Sequence, residues 1–227
     1  MAETWFAWES GAQSGAVNMA WDEVLLERVG TVGSPILRTY SWSEPAATFG
    51  YFQPYSEVAS WTHLRPLIRR PTGGGLVPHD HDWTYCVAIP PSHWWYELKA
   101  VESYARVHEW LKLAFAKTGL KTELAPCCDP AGPGQCFIGA EKSDLLCGGR
   151  KIAGAAQRRN KLGLLIQGSI QPVPESVKRA SWEKALREAG TEMNGTRWHP
   201  FDFDAHKNLA HELAEQKYSG RTYNEKR

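Results

Sequence analysis

Two side chains in one stretch of this sequence carry the parts of an acyl transfer. Cys136 opens the run CFIGAEKSDLLCGG, and Lys151 follows a short distance on, within GRKIAGAAQ. A thiol can hold an acyl group as a thioester, and an ammonium can steady the oxyanion formed when that group is attacked. A free thiol ionises near about 8.5, so a neighbouring cation such as Lys151 would yield a useful thiolate near neutral pH. The competing reading is that Cys136 is a small buried hydrophobe, as most unpaired cysteines are. Cys86 in mid-strand and Cys147 beside Leu145 and Leu146 fit that description better, whereas Cys127 and Cys128 lie in a loop as rival thiols. Lys151 is surrounded by Ala153, Gly154, Ala155 and Ala156. Small neighbours let a ligand or another chain lie close against a strand, which makes Gly154 and Ala156 candidate substrate contacts. The lysine itself is either protection for a sheet edge or a positioned charge facing a cleft.

A second candidate is the glycine-rich RRPTGGGLVPHD at 69–80. Gly73, Gly74 and Gly75 allow backbone N–H groups to approach an anionic or carbonyl oxygen without side-chain interference. Arg69 and Arg70 precede them; strand alternation turns one inward, and Arg70 is the one expected to meet substrate. His79 and Asp80 close the segment and organise either the site or only the turn, with His79 the candidate for substrate contact.

The elements that must position these residues follow from periodicity. WFAWESG reads as a strand, and Gly15–Val29 as a helix with Met19, Val24, Leu25 and Val29 at helical spacing and Asn18 available as its cap. ILRTYSW and ATFGYF are β-like, LIRRPTGG runs a strand into the glycine turn, and DWTYCVAIP resumes a strand. Glu102–Gly119 reads as a helix ending at glycine. APCCDPAGPGQ at 125–135 is a loop by its proline and glycine content. GRKIAGAAQRR and LGLLIQGSI read as adjacent strands joined by Arg159-Asn160-Lys161. The end of the chain is charged and helical, with AHKNLAHELAEQKY as a final amphipathic helix. Hairpin-joined strands interrupted by helices argue for an α+β domain, and no linker divides residues 1–227.

The 227 residues suffice for one well-buried core. With 26 basic against 25 acidic side chains there is no electrostatic footprint for nucleic acid or anionic lipid. No signal or transit peptide opens the sequence, and no apolar run reaches membrane-spanning length, so a soluble, cytoplasmic protein is expected. Five cysteines without an export signal are expected to be reduced thiols, and their spacing lacks the pairs of a structural zinc site. The pairs His79/His81 and His206/His211 read as polar or hydrogen-bonding histidines, so no metal is expected. Most of the eleven tryptophans should fill the core, while some could line an apolar tunnel. An eight-carbon acyl chain in such a tunnel offers about 5 kcal/mol of burial, enough only for binding near 100 µM. A carrier protein would then supply much of the recognition.

Several motifs resemble those of the lipoate/biotin protein ligase and octanoyltransferase superfamily. They are NMAWDEVLL at 18–26, ATFGYFQ at 47–53, RRPTGGGLVPHD, CF at 136, GRKIAGAAQRR at 149–159, LIQGSI at 165–170 and LAEQKY near the end. They look most like the cysteine-dependent octanoyltransferases related to lipoate–protein ligase A. The resemblance implies a single catalytic domain, a large mixed or antiparallel sheet with flanking helices. It implies that Lys151 is the active-site lysine and Cys136 the acyl-accepting cysteine. The donor it implies is octanoyl-acyl carrier protein, and the acceptor a lysine of a lipoyl domain or of the glycine-cleavage H protein. No cofactor is implied, since the donor is already activated. Gly75 stands where such transferases often carry arginine, which is closer to an ATP-dependent ligase activating free lipoate or octanoate with ATP and Mg²⁺. A non-catalytic binding module on the same scaffold is the third reading.

Overall fold

The computed structural model describes residues 2–128 and 139–226. Its strands are β1 (Glu3–Gln13), β2 (Ile36–Trp42), β3 (Ala46–Phe49), β4 (Leu67–Arg69), β5 (Val77–His79), β6 (Trp83–Ile89), β7 (Glu123–Leu124), β8 (Leu145–Cys147), β9 (Arg150–Asn160), β10 (Gly163–Ile170) and β11 (Thr196–Pro200). Eight form one sheet in the order β11-β1-β2-β6-β10-β9-β8-β7. β1 lies parallel to both β2 and β11, and the other neighbours in that sheet are antiparallel. The remaining three form a small sheet, β4-β3-β5. Helices α1 (Gly15–Val32), α2 (Tyr55–Trp61), α3 (Trp94–Glu97), α4 (Ala100–Lys117), α5 (Arg179–Asn194), α6 (Lys207–Leu213) and α7 (Arg221–Asn224) flank them. This mixed sheet with flanking helices is the architecture the sequence implied.

Each face of the large sheet has its own core. On one, β6 and β10 present Tyr85, Val87, Ile89, Leu164, Ile166 and Ile170 to α4 and α5. On the other, Cys86, Ala88 and Leu165 pack under Met19, Leu25, Leu26 and Val29 of α1. Strands buried on both sides read as near-continuous apolar runs, as WTYCVAI and LGLLI do. The tryptophans belong mainly to this packing. Trp5 is fully buried and meets Trp95, Trp110 and Trp198 edge-on, at centroid distances of 5.4, 5.5 and 5.7 Å. Edge-to-face contacts of this kind add about 0.5–1.5 kcal/mol each beyond the area they bury.

Three local expectations are corrected. The cap of α1 is Ser14, whose hydroxyl accepts from the Val17 N–H. Asn18 instead donates to the carbonyls of Gln13 and Ser41. ATFGYF stops as a strand at Phe49. AHKNLAHELAEQKY is not one helix: after α6 the backbone widens into a π-turn over Ala214–Tyr218. The hydroxyl of Tyr218 reaches Glu23 of α1 there, at 2.7 Å.

Candidate active site

Lys151, one of the two residues that opened the sequence reading, is built on a hairpin. β8 and β9 are joined by Gly148-Gly149, both at positive φ (56° and 76°), as two-residue hairpin turns of this kind require. Beyond the turn Leu146 pairs with Lys151, but Leu145 pairs with Ala153. One step on β8 thus meets two on β9, a bulge that re-aims the lysine side chain. Asp144, just ahead of β8, is fully buried, and the Lys151 Nζ lies 2.7 Å from its Oδ2. A Cβ on Gly154 would stand 2.8 Å from Lys151 Cε, 3.0 Å from Nζ and 3.2 Å from Asp144 Oδ1. The missing side chain of Gly154 is the space the ion pair occupies.

A buried ion pair is tolerated only when further hydrogen bonds satisfy it. Asp144 has them: the Glu141 N–H donates to Oδ2 at 2.6 Å and the Tyr104 hydroxyl donates to Oδ1. Tyr104 reaches across from α4 and also accepts from the Ala155 N–H at 3.3 Å. Burial first, and then the charge of Asp144, raise the Tyr104 phenol far above its ordinary value, so it stays a donor. Beneath it His108 is fully buried, with Nδ1 3.0 Å from the Tyr104 carbonyl. Burial pushes this imidazole down to about 4. Lys151 also lies 3.4 Å from the carbonyl of Gly139 and lines a cleft of about 680 Å³. Asp80, His81, Gly139, Ala140 and Gln171 are among its other walls.

A second polar cluster stands on the adjoining strand, where Ser169 of β10 pairs with Gly154. The carboxylate of Asp82 accepts from Ser169 at 2.7 Å and Thr84 at 2.8 Å, and lies 2.8 Å from His79 Nδ1. Burial alone would raise Asp82, but His79 and these hydroxyls hold it below the ordinary aspartate value. His79 is clamped further by Thr48, 2.8 Å from Nε2, and by the Trp42 ring stacked 3.8 Å away. It organises the small sheet rather than lining the cleft, while Asp80 does line it.

The glycine turn is stapled from within. Arg70 donates to the Gly73 carbonyl through Nε (3.0 Å) and Nη2 (2.5 Å). Strand alternation fails here because β4 ends at Arg69, and both arginines are buried. Arg69 is bound to the carbonyls of Tyr51, Gln53 and Asn224. Gly74 has φ 87°, and a Cβ on Gly50 would fall 1.8 Å from its carbonyl oxygen. Thr72 donates to Gln167, which in turn donates to Asp22, and Asp22 pairs with Arg38 at 2.7 Å. Ala156 sits opposite Gln167 in the β9–β10 register, so it marks where the turn meets the sheet.

The structure thus sets Gly154 against Lys151, and of these two only Lys151 lines the cleft. Arg70, Gly73, Gly74, Gly75, His79 and Ala156 lie outside that wall. Cys136 falls outside the described residues. Asp144 and Tyr104 were not singled out from the sequence. The available signal was the acid set directly before an apolar pair and a Gly-Gly turn, in SDLLCGGRK. No tryptophan lines this cleft, and among the described residues no three His, Cys, Asp or Glu side chains are placed to hold a metal ion.

Comparison with known proteins extends this geometry. Residues 14–175 match the lipoyl protein ligase A/B catalytic domain. The chain is 34% identical over 174 residues to the octanoyltransferase LipM of Carboxydothermus hydrogenoformans, covering 74% of this chain and 65% of that protein. It is 34% identical over 187 residues to LipM of Staphylococcus aureus, covering 75% and 66%. The chain therefore spans about two thirds of the length of these relatives. In fold it is similar to a putative lipoate protein ligase of T. acidophilum, with a TM-score of 0.81 and 20% identity, 100% of both chains being covered. With motifs and sheet in agreement over the matched span, the chain belongs to the family of lipoyl protein ligase A/B catalytic domains.

Proposed function

We propose that residues 1–227 act as one catalytic domain that transfers an octanoyl group in protein lipoylation. The observation that carries this is the buried Lys151–Asp144 pair in the wall of a cleft, with the Gly139 carbonyl beside the ammonium. Gly139 follows Cys136 by three residues, a length of chain that spans about 11 Å at most. The sequence likeness to the two LipM octanoyltransferases supports the same reading.

In the proposed cycle the Cys136 thiolate attacks the carbonyl carbon of an octanoyl-carrier thioester. A new C–S bond forms, the carrier C–S bond breaks, and the carrier leaves as a thiol with the proton that Cys136 gave up. The Lys151 ammonium offsets the oxyanion charge of the tetrahedral intermediate. The amine of a lipoyl-domain or H-protein lysine then attacks the enzyme thioester. The C–N bond forms as the C–S bond breaks, and the amine proton returns to the cysteine sulfur. No nucleotide is consumed, because the donor is already a thioester.

The test is transfer from octanoyl-acyl carrier protein to an isolated lipoyl domain without ATP, read as a mass increase of the domain. Modification under these conditions is expected. Modification only with ATP, Mg²⁺ and free octanoate would make the chain a ligase instead.

A further inference from the structure

We propose that Tyr104 is a positioning residue for Lys151, acting through Asp144; the inference rests on the acyl-transfer reading of this site. Asp144 is fully buried, and its two oxygens are used differently. Oδ2 faces the Lys151 ammonium at 2.7 Å and takes the Glu141 N–H, while Oδ1 is taken by the Tyr104 hydroxyl. Without that hydroxyl, Oδ1 would lack its side-chain donor in a buried setting. The carboxylate would then turn or share the ammonium between both oxygens, and the ammonium would move with it. The phenol is held in place on both sides. Its oxygen accepts from the Ala155 N–H, and its ring packs on His108 at a centroid distance of 4.4 Å.

The backbone beneath Tyr104 is fixed to the same strand that carries Lys151. Ser103 donates to the Gln157 side chain at 3.0 Å, and Gln157 donates to the Ala100 carbonyl at 2.7 Å. Helix α4 and strand β9 are thus stitched at two places, and Tyr104 spans the gap between them. The resulting chain runs from Ala155 N–H through the Tyr104 hydroxyl and Asp144 to the Lys151 ammonium. It fixes a flexible lysine, whose rotamer freedom would otherwise spread the ammonium over several positions. Positioning of this kind is realised in the rate of the chemical step rather than in binding.

Two readouts test this. The first is reductive methylation of Lys151, followed by peptide mass spectrometry, in the protein alone. Tyr104→Phe is expected to raise its labelling rate several-fold, with other lysines unchanged. The second is single-turnover acylation by octanoyl-acyl carrier protein. Tyr104→Phe is expected to slow it about tenfold without changing the carrier concentration needed for half-saturation, and to have no further effect in a Lys151→Ala background. Unchanged labelling, or slowing that multiplies with that of Lys151→Ala, would overturn the proposal. Labelling needs no substrate, so it decides the role of Tyr104 even if the wild type transfers nothing, a result that would overturn only the acyl-transfer reading. Should Tyr104→Phe fold poorly, Asp144→Asn is expected to raise Lys151 labelling in the same way, and unchanged labelling there would sink the proposal.

Discussion

At the scale of single residues, the site depends on groups held against their ordinary solution behaviour. His108 shows this most simply. It is fully buried and neutral, with its imidazole pushed down to about 4 by burial. The unfolded chain takes up a proton at this position below about 6.5, whereas the folded protein resists until about 4. The unfolded state therefore binds more protons in that window, and stability falls as pH drops through it. This one group accounts for a loss of about 3 kcal/mol across the window. Thermal unfolding between pH 6.5 and 4 should show a shallower acid slope in His108→Gln than in the wild type. An identical slope would remove His108 from the account. Lys151 illustrates a different limit. Its neighbours alone favoured edge protection over a cleft-facing charge, because the deciding partner, Asp144, lies across a hairpin turn. Nothing in KIAGAAQ itself names that acid.

At the scale of elements, the β8–β9 hairpin and its bulge do the positioning. Gly154 is the sensitive point, because an added methyl would meet the movable end of Lys151 rather than backbone. Gly154→Ala should therefore fold almost normally but displace the ammonium, lowering acyl transfer about ten- to a hundredfold with little change in Tm. Gly168→Ala on the next strand makes the contrast. Its methyl would lie 2.1–2.5 Å from ring atoms of the buried Tyr85. Overpacking of this sort costs about 1–3 kcal/mol or more, so the loss there should appear in Tm. The elements legible from sequence were those whose pattern is local: α1, α4, β2 and the β9–β10 pair each carry their own periodicity. Those that were missed depend on distant partners. β11 is a five-residue strand defined by pairing with β1 at the other end of the chain. β8 has three residues and exists because Gly148-Gly149 folds it back on β9. Asn18 looked like a cap because its place near a helix start is visible, whereas its bonds to Ser41 and Arg38 are not.

At the scale of the whole molecule, the centre of the large sheet links α1, the glycine turn and the cleft strand. Asp22 and Arg38 are both fully buried, and Asp22 also receives Tyr40 and Gln167. Through Gln167 this cluster holds Thr72, and so the turn that begins the RRPTGGG segment. Removing one partner of a buried pair typically costs about 3–5 kcal/mol, because the other charge is stranded. Asp22→Ala should therefore lower Tm sharply and loosen the turn, seen as faster proteolysis near residues 72–75. A Tm within a degree or two of wild type would contradict it. Among the described residues no helix is long and apolar enough to cross a membrane. We propose that an acyl group passes through Cys136 while Lys151 steadies the oxyanion. It is tested most directly by the intact mass of the enzyme after mixing with octanoyl-acyl carrier protein in the absence of ATP. A hydroxylamine-labile octanoyl adduct is expected, lost in Cys136→Ser and formed far more slowly in Lys151→Ala. An adduct that persists in Cys136→Ser, or the absence of any adduct in the wild type, would contradict it.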